Sequence, residues 1–247
     1  MSLAQAFSVY APAAGILTSN ALYISALPEV LRARSSGSLG AFNPLPSTIM
    51  VLSVLLWLNY ALVVSNPWVL WSNLPGAVSV LLTFVVMLPL MGNDHKDLAA
   101  CQVTPPPPTH RTCTSSAPCT SAPLPSACQL SLVGGVMATL GLWSWLVFSG
   151  AAAAMRASAI GYLASATFVI LAASPLSTIK TVVASRDSES IYLPLTLAQC
   201  ANTLLWTVYG VFAAKDIFVY GPNGIGLGLG LTQVLLKLLF PSKKTKK

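Results

Sequence analysis

Four side chains in this 247-residue sequence combine suitable chemistry with a repeated spacing: Trp57, Asn73, Trp206 and Asn223. Each asparagine stands in an apolar run, where an amide without partners costs several kcal/mol. An amide offers donors and acceptors together, which suits an uncharged, hydroxyl-rich solute. An indole face complements the apolar face of a ring-shaped solute. One helical turn before each tryptophan lie Ser53 and Asn202, on the same side of the helix. Taken singly, an asparagine in an apolar helix is accounted for by helix–helix hydrogen bonding, and a tryptophan by an interfacial belt. The matching of the pairs favours one shared site.

The pairs belong to a duplication. Residues 55–77 read LLWLNYALVVSNPWVLWSNLPGA, and residues 204–226 read LLWTVYGVFAAKDIFVYGPNGIG. Both run Leu-Leu-Trp, an aromatic three residues later (Tyr60, Tyr209), a turn, then an asparagine. Pro28 pairs with Pro175, and Pro46 with Pro194. The offsets between halves run 147 and 148 for the prolines, 149 for the tryptophans and 150 for the asparagines. So slow a drift is what loop-length variation inside a repeated unit produces.

The units sit in a chain too apolar for water. Hydrophobic residues make up 55% and charged residues 8%, against roughly 25% charged in soluble domains; the mean hydropathy is +0.72. Runs without charge cover 1–28, 35–93, 112–155, 157–179, 190–214 and 217–236. A membrane-spanning helix needs about 20 apolar residues, so the sequence predicts spans over about 7–31, 46–64, 68–91, 130–150, 158–183, 191–213 and 217–240. The predicted class is an all-α integral membrane protein of seven transmembrane helices. A three-helix repeat (5–91) is followed by a Pro/Ser/Thr/Cys-rich disordered linker (92–129), a linker transmembrane helix (130–150), a second repeat (157–240) and a basic tail (241–247). The fourth crossing lets the two triplets point the same way, as parallel repeats about an axis along the membrane normal.

Charge placement orients the chain. With the N-terminus outside, 11 of the 13 Lys and Arg residues fall on the cytoplasmic side, leaving only Arg156 and Lys215 opposite. The net charge of +7 is concentrated in Lys243, Lys244, Lys246 and Lys247, which suit an anionic lipid surface and lack the interleaved aromatics of a nucleic-acid site. No positive charge precedes the first apolar run, so no cleaved signal peptide is expected. Cysteines 101, 113, 119 and 128 lie in the linker at gaps unlike a zinc site, and reduced thiols are expected there.

SNLPGA (72–77), ASPLSTIK (173–180) and the 204–226 segment resemble the SWEET sugar transporters, over essentially all of 5–91 and 130–240. SWEETs are a known case of parallel repeats. The resemblance implies a pocket lined by Asn73, Asn223, Trp57 and Trp206, with Ser53 and Asn202 beside them, Leu171 four residues before Pro175, and Leu22 or Ile24 as its counterpart. It implies hinges at Pro28, Pro46, Pro175 and Pro194, although Pro28 and Pro194 fall about two residues later than the family places them. It also implies homo-oligomers. The expected function is bidirectional facilitative transport, a uniport of mono- or disaccharides by alternating access, at the plasma membrane. A proton relay would need an ionisable residue within the membrane, and Glu29, at a span end near Arg32, is the one candidate. The rivals are a PQ-loop-type proton-coupled amino-acid exporter, whose Pro-Gln pairs this sequence lacks, and a membrane receptor or adaptor working through the linker or tail. No enzyme, metal, cofactor or nucleic-acid role is expected, since no cluster of His, Cys, Ser and acids forms and His95 and His110 both fall in the linker.

Overall fold

The computed structural model describes residues 2–36, 45–94 and 152–242, together with 134, 137, 138, 140–145, 148 and 150. The expected linker from residue 95 onward, with its four cysteines and two histidines, and the lysine tail lie outside the described residues. All regular structure among the described residues is helical. The first span is Leu3–Gln5, a π-turn over Ala6–Tyr10, Ala11–Ser25 and, after a break at Ala26, Leu27–Ser36. The second and third are Leu45–Val63 and Pro67–Asp94, the latter reaching three residues into the predicted linker. Helical residues between 134 and 148 mark the fourth. The fifth is Ala153–Leu171 and, after a break at Ala172, Ala173–Ser185. The sixth is Leu193–Tyr209 with a π-turn over Gly210–Ala214, and the seventh is Ile217–Leu239. Pro67–Met87 and Ala153–Ser185 are long and apolar enough to cross a membrane.

Both halves build the turn between their second and third spans in one way. A residue with positive φ (Ser65 at 53°, Lys215 at 51°) reverses the chain, and the next side chain caps the following helix. Asn66 Oδ1 accepts from the N–H groups of Trp68 and Val69, and Asp216 Oδ1 from that of Phe218, satisfying donors a helix start leaves open. The caps' own N–H groups return to Ala61 O and Gly210 O at 2.9 and 3.0 Å.

Within each half the third span packs between the first and second. The halves meet reciprocally, Ala11–Ser25 against Leu193–Tyr209 and Leu45–Val63 against Ala153–Leu171. The buried apolar residues fall into three clusters. One, near the capped turns, spans both halves and includes Tyr60, Val69, Ile160, Trp206, Tyr209 and Val219. At the other end the clusters are separate. Val30, Val51, Val54, Phe84 and Met87 serve the first half, whereas Val182, Ile191 and Leu236 serve the second. Among the described residues, one end of the molecule is therefore sealed by a core shared across the repeat interface, and at the other, the parted end, each half has its own core.

One of the four expected proline kinks is corrected. Pro46 follows Leu45, the first described residue of its span, whereas Pro194 occupies the first turn of Leu193–Tyr209. A proline there removes no helix hydrogen bond, because the first-turn N–H groups have no partner anyway. Among the described residues, such breaks occur in spans one and five. Pro28 lacks the N–H that would bond Ile24 O, and the N–H of Ala26 takes that carbonyl instead. The first-span break thus precedes Pro28 by two residues. Pro175 follows the Ala172 break by three, and Pro222, absent from the sequence expectations, lies inside the seventh helix.

Candidate functional site

Between the halves lies a cavity of about 700 Å³, within the range of small-molecule sites. Each of the six repeat spans turns one stripe toward it. On the third span the stripe is Val69, Ser72, Asn73, Val80 and Thr83, and on the seventh it is Asn223, Gly226, Leu229, Gly230 and Gln233. These three-, four- and seven-residue steps follow one face of a helix. The lining continues to Ser190, Ile191 and Tyr192, in the loop at the parted end. At the sealed end it stops at Trp57, Val69 and Trp206.

The structure brings Trp57, Asn73, Trp206, Asn223, Ser53, Asn202, Leu171 and Pro175 to this one cavity. It does not bring Ile24, which is 54% exposed on the opposite side. Leu22 lines the cavity in its place, because residues two apart on a helix point nearly opposite ways. Pro28 and Pro194 are not among the lining residues.

The polar groups form two sets of bonds between the halves. Near mid-cavity, Thr18 and Ser19 each donate to Asn202 Oδ1 at 2.8 Å, and Trp206 Nε1 donates to Ser19 Oγ at 3.0 Å. Across the pseudo-axis, Thr167 donates to Ser53 at 3.1 Å. Thr18 and Thr167 stand 149 residues apart, as do Ser53 and Asn202, so these are one contact repeated. At the sealed end, Tyr60 Oη donates to Asp216 Oδ2 at 2.6 Å, and Tyr209 Oη donates to Asn66 Oδ1 at 3.1 Å. Each tyrosine of the LLWxxY segments thus holds the helix cap of the other half. Trp57 and Trp206 pack edge-on against these tyrosines at 5.7 and 5.8 Å, and Phe7 stacks on Phe212 at 4.8 Å.

Sequence reasoning missed Thr18, Ser19, Tyr23, Ser72, Thr167 and Phe168. The signal for two of them was present: the Thr18/Thr167 offset equals that of the tryptophans. Asn73 is 7% exposed and held on three sides, donating to Val69 O and Ser72 Oγ at 2.9 Å each and accepting from Tyr23 Oη at 3.1 Å. Among the described residues Asn223 makes a single such bond, to Val219 O at 2.8 Å. Helix–helix bonding therefore accounts for part of what the amides do. Glu29 is exposed in the first turn of Leu27–Ser36, away from the cavity.

A sequence model of the MtN3_slv family, described as "Sugar efflux transporter for intercellular exchange", matches residues 10–93 and 158–245, more than half of the chain. The Bidirectional sugar transporter SWEET15 of Oryza sativa subsp. indica is 25% identical over 230 residues, 93% of this chain and 63% of that protein. The Bidirectional sugar transporter SWEET11 of Arabidopsis thaliana is 27% identical over 232 residues, 94% of this chain and 70% of that protein. The chain thus spans a little under two thirds of the rice relative's length. A solved structure described as a eukaryotic SWEET transporter at 3.7 Å superposes with a TM-score of 0.72, covering 97% of this chain and 99% of that one at 22% identity. That likeness establishes the shared fold.

Proposed function

The chain belongs to the MtN3_slv family of sugar efflux transporters and is an integral membrane protein; from that premise we propose that it carries mono- or disaccharides through the membrane by alternating access, with the cavity between its repeats as the sugar site. One observation carries the reading. A cavity of about 700 Å³, lined by paired amides and indoles from both halves, is sealed at one end by a shared core and, among the described residues, flanked by separate cores at the other, the parted end. Stacking and amide hydrogen bonds suit a neutral polyol, and no ionised group lies among the described lining residues to repel or trap it.

Transport follows if the parted end closes while the sealed end opens. The breaks at Ala26 and Ala172 let the outer parts of spans one and five swing, since Pro28 and Pro175 just beyond them each lack the N–H that would tie the two parts of the helix together. Pro28 and Pro175 are the hinge prolines of this mechanism. The charge asymmetry supports an N-terminus outside, which makes the sealed end extracellular and the parted end cytoplasmic. With Glu29 exposed at a span end, no proton relay accompanies the solute, and the carrier is a uniporter. The test is uptake of radiolabelled glucose and sucrose into proteoliposomes holding the purified chain. Saturable uptake of either sugar is expected, and absence of flux from a correctly inserted preparation refutes the proposal.

A further inference from the structure

The two halves repeat in sequence, yet the two asparagines are not chemically equivalent, and one side chain makes the difference. Three residues after Asn73 comes Gly76, and three after Asn223 comes Gly226, at the same 150-residue offset. Each glycine receives an aromatic ring from the first span of its own half. The Tyr23 ring covers Gly76, where an added Cβ would overlap it; Phe168 covers Gly226, its Cζ 2.8 Å from where a Cβ would stand. Tyr23 covers its glycine with the flank of the ring and Phe168 with the tip, and only the first carries a hydroxyl. That hydroxyl reaches Asn73 Oδ1 at 3.1 Å.

An amide has two N–H donors and two oxygen lone pairs. At Asn73, Val69 O can only accept, so the nitrogen must face it, and the second N–H goes to Ser72 Oγ. Tyr23 takes one lone pair. What remains for a solute is a single acceptor position. At Asn223 one N–H is used on Val219 O, leaving an N–H and both lone pairs. The indoles are also unequal: Trp206 commits its N–H to Ser19, whereas Trp57 has no such bond among the described residues.

We propose that Tyr23 is a positioning and specificity-determining residue: with the amide nitrogen already held by Val69 O and Ser72 Oγ, its hydroxyl reduces Asn73 to a single, rigid acceptor position, to which the sugar hydroxyl facing Asn73 must donate, while Asn223 recognises its hydroxyl from either side of the proton. A symmetric pair of amides would accept a sugar in two orientations related by the pseudo-axis. This unequal pair selects one. The inference rests on the sugar-transport reading above.

The experiment is a cycle of protein and ligand changes in proteoliposomes. Inhibition constants are measured for D-glucose or sucrose, whichever the wild type takes up, and for its monodeoxy-monofluoro analogues, in which one hydroxyl at a time becomes a group unable to donate. In the wild type, fluorination facing Asn73 weakens binding about fivefold, the worth of one net hydrogen bond. In Tyr23→Phe the ring still covers Gly76, and the penalty at that one position shrinks by about twofold or more, the size of coupling between groups in one network. Penalties at the other positions stay as in the wild type. Ser72→Ala removes the other side-chain partner of Asn73 and shrinks the same penalty, so the test survives poor yield of either variant. Unchanged penalties in both variants, or a uniform change at every position, overturn the proposal. If the wild type takes up no sugar, the transport reading falls with it; if it does and the cycle is flat, this inference alone falls.

Discussion

Replacing Tyr60 by Phe should loosen the sealed end more than any other single-atom deletion in the cavity roof. The hydroxyl donates to the Asp216 carboxylate at 2.6 Å, and the residue is 2% exposed. A hydrogen bond to a charged group contributes about 1.5–3 kcal/mol net, so its loss raises the population open at that end by about tenfold to 150-fold. Asp216 still caps Phe218 through its other oxygen, and the phenyl ring keeps its packing against Trp57 and Phe218, so the fold should survive. Tyr209→Phe is the internal control. Its hydroxyl meets the neutral Asn66 amide at 3.1 Å, which is worth about 0.5–1.5 kcal/mol and predicts a shift of only about twofold to tenfold. The assay places one cysteine at Val219, 2% exposed within the shared core, in a chain otherwise cleared of its five cysteines. An impermeant thiol reagent is then added from the side of the capped turns. Reaction rates should rise in the order wild type, Tyr209→Phe, Tyr60→Phe. Equal rates in all three, or the reverse order, would refute the argument that these cross-repeat bonds hold the end shut.

Asn73→Ala should abolish uptake while leaving membrane insertion intact, since its neighbours can rebond to water in the cavity; normal flux would remove Asn73 from the site. Gly76→Ala pushes a methyl into the Tyr23 ring, an overpacking cost of about 1–3 kcal/mol, and should lower both thermal stability and sugar affinity, read by a melting scan and a binding titration. Lys237 donates to Ser188 O and Ile191 O at 2.8 and 3.1 Å, pinning the loop between spans five and six to span seven. Lys237→Met should speed amide exchange across 186–192 by about tenfold, and unchanged exchange would mean that the loop is held by its apolar contacts alone. Uptake at a fixed sugar gradient should not respond to an imposed pH gradient; a response would point to a coupled proton.

The periodicity of charge and apolarity was enough to set the class, the number of spans in each half and their approximate limits, because membrane insertion is decided by local composition over about 20 residues. The duplication was equally legible, since repeat offsets are a property of the chain alone. They placed Trp57, Trp206, Asn73 and Asn223 together before any coordinates. Hydrogen-bond direction was not legible. Nothing near Asn73 in sequence announces Tyr23, 50 positions away, or tells Tyr60 to hold Asp216 at a distance of 156. The register of the first span escaped for a related reason. Pro28 draws attention to Ile24 four residues before it, but the break at Ala26 and the packing of Tyr23 on Gly76 rotate Leu22 into the cavity and Ile24 out of it. Likewise Pro194 reads as a kink only until the helix start is known. A sequence states which groups a helix carries; which of their donors and acceptors remain open to a solute depends on neighbours that only three-dimensional packing supplies.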